Sequence, residues 1–121
     1  MSAAVWVGVA LLGGLASTAR FLIDSFVASR SGGEFPFGTL TVNATGSLIL
    51  GLLSGLAVTG NLLVLTGTAT IGTYTTFSTW MLETHRLAEN GKFRAAAINV
   101  VLSLALGIGA VALGRTIGAH W

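Results

Sequence analysis

Thr66, Thr68, Thr70, Thr73, Tyr74, Thr75, Thr76, Ser78 and Thr79 crowd hydroxyls around Gly72, inside a stretch from Leu62 to Leu82 otherwise apolar enough to cross a bilayer. Two chemistries are open to such a cluster. Ser and Thr hydroxyls can bond back to carbonyls of their own helix, which membrane helices tolerate. Alternatively, β-branched residues packed around a glycine break the helix and leave backbone carbonyls free. The density of hydroxyls favours a break near Gly72. Free carbonyls at membrane depth are stable only where protein buries them or a polar cavity receives them, and broken membrane helices use them to hold a cation.

A second set of polar residues lies upstream. Thr39, Asn43, Ser47, Gly51 and Ser54 recur at three- or four-residue spacing and form one small and polar helix face. An amide in hydrocarbon needs a partner, so Asn43 faces protein or water. This face is either a packing surface, with Gly51 and Gly55 as a GxxxG pair and Asn43 as interhelical glue, or one wall of a permeation path. Downstream, Asn99, Ser103 and Gly107 share a face, and Gly114 and Gly118 form another small-residue pair. Polar faces on several spans favour a path. Its lining would offer hydroxyl and amide donors beside the rings of Phe77 and Trp80, with no lysine or carboxylate near the membrane centre. Aromatic edges carry partial positive charge, so a small anion suits this lining better than a cation. Arg20 either raises the local potential for anions or is a snorkelling, hydrogen-bonded structural charge.

The elements that must carry these residues are membrane helices. Of 121 residues, 53% are hydrophobic and 8% charged, far below the roughly 25% charged residues of a soluble domain. Apolar runs predict four spans, Ala3 to Ala28, Thr39 to Thr59, Leu62 to Leu82 and about Ala95 to Gly114, in a single domain covering residues 1–121. Gly60-Asn61 is expected to be a tight turn between the second and third. SRSGGEFPFG (29–38) and ETHRLAENGKFR (83–94) are expected to be charged loops on one side, opposite the termini. Trp6 and Trp121 then approach one interface, and Phe35, Phe37 and Phe93 the other. Arg30, Arg86, Lys92 and Arg94 on the loop side outnumber Arg115 on the other, which by the positive-inside rule places the loops in the cytoplasm. Met1 to Ala4 lacks a basic leader region, so Ala16-Ser17-Thr18-Ala19 is not expected to be a processing site. Gly72 lies halfway along its span. A second copy, related by a two-fold axis in the membrane plane, would double the carbonyls there, which points to an antiparallel dimer.

Several function classes are poorly served by these residues. Without cysteine there is no thiol nucleophile or thiolate metal site, and scattered basic residues give nucleic acid no patch. Glu83 and His85 lack a second histidine or a nucleophile, so an enzyme is not expected. A proton-coupled cation exporter of the small multidrug-resistance type is the alternative reading by size. It needs a membrane-embedded glutamate in the first span, where Asp24, near the interface, is the only acid. TIGTY differs in order from the TVGYG potassium filter and lacks the accompanying pore helix.

Taken together, Gly13-Gly14 with Arg20, GTLTVNATGS (38–47), Gly72 with TTFSTW and Glu83, and Ser103 in the fourth span resemble the Fluc family of fluoride channels, also called CrcB-type proteins, over essentially the full chain. The resemblance implies an all-α, four-helix integral membrane protein whose third helix is broken near its centre. It implies an antiparallel, dual-topology homodimer in a prokaryotic plasma membrane that passively exports fluoride and relieves its toxicity, through two anion pathways flanking a central structural sodium ion. Some members pair two oppositely oriented chains as heterodimers. Carried over by residue, the carbonyls of Gly72 and Thr75 hold the sodium. Asn43, Thr39, Phe77, Trp80 and Ser103 line the anion pathway, with Ser78, Thr79 and Arg20 beside it. Trp80 stands where the family has its second pore phenylalanine, and Gly107 where members can carry a further hydroxyl.

Overall fold

The computed structural model describes all 121 residues, and every regular element in it is helical. α1 spans Ala3–Ser31, starting where Ser2 accepts the Val5 N–H (3.3 Å) and ending at Gly32, whose φ of 66° turns the chain left-handed. α2 spans Phe37–Gly55, after Pro36. The third crossing is discontinuous: α3 (Gly60–Leu63), a π-helical segment (Val64–Ile71), α4 (Gly72–Tyr74), irregular chain at 75–77, then α5 (Ser78–Glu89). α6 spans Phe93–Ala119.

α1, α2 and α6 are each long and apolar enough to cross a membrane. Only 15 of 121 residues are buried, whereas Leu11, Leu15, Phe21 and Phe26 of α1 and Val101, Ile108 and Leu113 of α6 are more than half exposed. A surface of this kind is suited to lipid or a second subunit, and what binds the helices to one another is close backbone packing rather than a large core. Gly51 and Gly55 of α2 lie directly against the backbone at Val111 and Arg115, while Gly114 and Gly118 of α6 lie against Leu48 and Leu52. A Cβ at any of the four would overlap the facing main chain. The two small-residue pairs anticipated from sequence therefore meet each other and form the α2–α6 crossing. α1 covers the third crossing, with Gly13 facing Thr73 and Ala69.

Element ends differ from the sequence expectation. α2 stops at Gly55, so the turn is at 56–59 and Gly60-Asn61 already opens the next helix. Ala57 takes φ 57°, the Ala57 N–H bonds Ser54 O (3.0 Å) and the Val58 N–H bonds Leu53 O (3.1 Å), a Schellman cap with alanine at the left-handed position. The segment expected to be a charged loop at 83–94 is mostly helix, because α5 runs to Glu89 and α6 begins at Phe93. Gly91, at φ 75°, makes the reversal between them. Lys92 Nζ pairs with Glu34 Oε2 at 2.6 Å, joining the two charged connections at one end of the bundle, as the sequence anticipated.

Candidate functional site

The helix break falls three residues beyond Gly72. Gly72 itself is helical (φ −61°, ψ −33°), and Thr75 is extended (φ −81°, ψ 160°). The reason lies on α2. Asn43 Nδ2 donates to Thr76 O at 2.9 Å and Asn43 Oδ1 accepts the Thr76 N–H at 2.8 Å, so one amide side chain satisfies both polar groups of the residue that leaves the helix. Thr76 Oγ1 in turn accepts the Thr79 N–H (3.3 Å) and caps the start of α5.

These substitutions release two carbonyls. In a continuous helix the Thr76 N–H would bond Gly72 O and the Thr79 N–H would bond Thr75 O. Here those donors go to Asn43 and to the Thr76 side chain. Gly72 and Thr75 share the lining of a hollow of about 250 Å³ with Leu50, Gly67, Thr68 and Ile71. The chain has no cluster of His, Asp or Glu side chains suited to a metal. The oxygens that line this hollow come from backbone carbonyls and from the Thr68 and Thr75 hydroxyls, and hard oxygen ligands of this kind fit an alkali or alkaline-earth ion.

The hydroxyls are divided between two uses. Thr66, Thr73 and Thr75 bond back to Leu62 O, Ala69 O and Ile71 O, and Thr70 reaches Leu65 O five residues earlier, in step with the π-helical register. Back-bonding and the break therefore coexist in one segment. Thr76 and Thr79 bond each other's neighbourhood instead, at the mouth of α5.

Asn43 stands between two adjoining grooves. One, of about 510 Å³, is lined by Asn43, Ser47, Trp80, Ser103 and Gly107 with apolar residues of α6. The other, of about 240 Å³, is lined by Asn43, Gly46, Ser47, Thr75, Thr76, Phe77 and Trp80. One Nδ2 hydrogen goes to Thr76, which leaves the second for a solute in either groove. Phe77 is 70% exposed and meets Trp80 edge to face, centroids 5.7 Å apart and planes at 84°. Trp80 Nε1 donates to Asn99 O (3.3 Å), so the indole presents ring carbon rather than its N–H to the grooves. Opposite Gly107, Ser47 Oγ lies 3.7 Å from where a Cβ would be, and the hydroxyl missing from that turn of α6 is supplied by α2.

The structure thus brings Asn43, Phe77, Trp80 and Ser103 together and sets the other expected residues apart. Arg20, Thr39 and Thr79 line another hollow of about 150 Å³ with Phe21, Asp24, Val42 and Thr76, the last of which also lines the smaller groove. Thr39 is buried and donates its hydroxyl to Glu83 Oε1, pointing away from the grooves. Ser78, the first residue of α5, is exposed and lines none of these spaces. Sequence reasoning counted Thr76 only as one hydroxyl of the cluster around Gly72, and Ser47 as one member of the polar α2 face weighed as a wall of a path, without giving either a role of its own.

Fold and site define a small, multi-pass, all-α membrane protein with one discontinuous helix and, beside its break, grooves lined by amide, hydroxyl and aromatic groups. The family described as CrcB-like protein, Camphor Resistance (CrcB), matches residues 7–115. A Mycobacterium bovis protein named Fluoride-specific ion channel FluC 2 is 50% identical over 117 residues, covering 97% of this chain and 93% of its own length. A namesake from Mycolicibacterium paratuberculosis is 54% identical over 112 residues (93% and 92% covered). Fluoride-specific ion channel FluC 1 of Symbiobacterium thermophilum is 42% identical over 119 residues (93% and 96% covered). The chain belongs to the CrcB family.

Proposed function

We propose that this chain forms a passive, fluoride-selective channel in a bacterial plasma membrane. The observation that carries the reading is Asn43: one amide closes the helix break and, with its second N–H, faces both grooves. A small anion in the grooves meets that N–H, the hydroxyls of Ser47 and Ser103, and the edges of Phe77 and Trp80, with no carboxylate among the lining residues. Fluoride accepts strong hydrogen bonds at short range, so oriented donors replace its water well. The names of the relatives from three bacteria point to the same ion. No bond is made or broken, and the chain acts by lowering the desolvation barrier rather than as an enzyme.

The working unit in this reading is an antiparallel dual-topology dimer. Phe77 is exposed on the single chain, and Gly72 and Thr75 line a surface hollow whose carbonyls have lost their helical donors. A second copy would cover the ring and double the carbonyl set around a central sodium ion, with one anion pathway on each side. Sodium there would neutralise the carbonyl dipoles and hold the two breaks together. Arg20, beside Thr39 and Thr79 in its own hollow, would concentrate anions near the loop-side end.

Fluoride efflux from liposomes containing this chain alone, read with an ion-selective electrode beside chloride-loaded vesicles, tests the proposal. Fast fluoride release with chloride retained is expected. Equal release of both ions, or none from monodisperse protein even with an oppositely oriented paralogue added, would overturn it.

A further inference from the structure

We infer that Asn99, which lines none of the grooves described above, is a positioning residue that holds Trp80 in place along the pathway and gives Ser103 a weak resting acceptor. The inference rests on the channel reading for its functional consequence, although the geometry behind it does not.

Asn99 is 1% exposed, a fully buried amide on an otherwise apolar helix. Such a group is destabilising unless its polar atoms are partnered. Two of Asn99's three partners, Thr84 and Trp80, lead to one place. Its Nδ2 donates to Thr84 Oγ1 at 2.8 Å, and Thr84 Oγ1 donates to Trp80 O at 2.8 Å. The Trp80 indole Nε1 returns to the Asn99 main-chain O at 3.3 Å. This closed circuit grips Trp80 at both its backbone carbonyl and the end of its ring, and it links α5 to α6. The fourth contact is long: Ser103 Oγ donates to Asn99 Oδ1 at 3.5 Å.

Two consequences follow for the grooves. The indole cannot rotate about its side-chain bonds without giving up its only donor contact, so its edge-to-face seat on Phe77 is held from behind. Ser103, by contrast, has a weak resting acceptor in Asn99 Oδ1 and lines the 510 Å³ groove. Its O–H can leave that acceptor for an arriving anion at small loss, because a bond at the limit of hydrogen-bond distance is feeble. Asn99 therefore keeps one groove element rigid and the other poised.

The test uses full-length protein carrying Trp6→Phe and Trp121→Phe, so that Trp80 is the sole indole, with Asn99→Leu, Thr84→Val or Thr84→Ser added. Fluoride efflux and the steady-state fluorescence anisotropy of Trp80 are both read. Loss of one well-placed hydrogen bond in the circuit is expected to slow fluoride flux about tenfold for Asn99→Leu and Thr84→Val. Trp80 anisotropy should fall in the same two variants. Thr84→Ser, which keeps the hydroxyl, should restore both. Wild-type flux and anisotropy in monodisperse Thr84→Val protein would overturn the inference, as would a loss of thermal stability alone with both readings unchanged. If Asn99→Leu does not fold, the Thr84 pair decides by itself. If the unsubstituted protein conducts no fluoride, the channel reading falls, and the anisotropy still decides whether Asn99 holds the ring.

Discussion

Asn43 and Thr76 face each other as paired peptide groups do: amide nitrogen to carbonyl oxygen at 2.9 Å, carbonyl oxygen to backbone N–H at 2.8 Å. The side chain replaces the stretch of helix that the third crossing gives up. A residue on α2 thereby decides where the break lies, which two carbonyls are released, and which amide hydrogen faces the grooves.

Asn43→Asp should abolish anion flux. The carboxylate still accepts the Thr76 N–H, yet it turns an acceptor toward Thr76 O and adds a negative charge to the wall of both grooves. Like charges about 4 Å apart repel by about 4 kcal/mol at an effective dielectric constant near 20. Fluoride efflux is expected to fall by at least about 100-fold. Flux within a few-fold of wild type would sink Asn43's place in the pathway.

Phe77→Ile should reduce flux without disturbing the protomer's fold. The ring is 70% exposed on the single chain and its described contact is with Trp80, so little internal packing is lost. An edge-to-face ring contact contributes about 0.5–1.5 kcal/mol, and a comparable loss at the ion predicts a roughly threefold to tenfold slower efflux. Gel filtration paired with electrode recordings checks both halves, and normal conduction would remove the aromatic role.

Much of the architecture was legible because three spans are long apolar runs and their small-residue faces follow helical spacing. Element ends were not, and each miss has a local cause. α5 carries its charges on a helix, with His85 and Glu89 paired one turn apart, where polarity alone had suggested a loop. The π-helical segment Val64–Ile71 keeps side chains in a register that no apolar periodicity announces. Glycine was a sound clue to a break, yet the break moved to Thr75 because the partner that stabilises it sits on another helix. Asn43, Phe77, Trp80 and Ser103, expected by type and spacing, do line the two adjoining grooves. Thr39 shared Asn43's face in sequence but is drawn to Glu83 by a contact across 44 residues.

Ala57→Gly should stabilise the protein. Alanine holds a left-handed φ of 57° in the cap of α2, where glycine carries no Cβ penalty. The gain expected is about 1 kcal/mol, seen as a higher melting temperature in detergent with flux unchanged. An unchanged or lower melting temperature would show that this turn is differently formed in the membrane-extracted protein.

Gly114→Val and Gly109→Ala should separate packing from propensity. A side chain at Gly114 overlaps the α2 backbone near Leu48, whereas a Cβ at Gly109 meets nothing within 4 Å. Gly114→Val is expected to lose about 1–3 kcal/mol by overpacking the α2–α6 crossing. Gly109→Ala should be neutral or stabilising by up to about 1 kcal/mol. Comparable melting temperatures for the two variants would contradict the crossing.

Sodium should stabilise this protein in a manner that depends on Asn43. The carbonyls of Gly72 and Thr75 are open because the Thr76 and Thr79 N–H groups bond elsewhere, and two copies of that set would suit a bare cation at the centre of a dimer. A ligand that binds only the folded state adds about 2.7 kcal/mol when present at 100 times its dissociation constant. Replacing N-methylglucamine with sodium should therefore raise the melting temperature of the wild-type protein. In Asn43→Ala the Thr76 N–H loses its side-chain acceptor and is free to return to Gly72 O, so the sodium-dependent rise should shrink. A melting temperature indifferent to sodium in protein shown to be dimeric and sodium-free at the outset would remove the ion from the site. A rise of equal size in both proteins would place the ion at carbonyls other than Gly72.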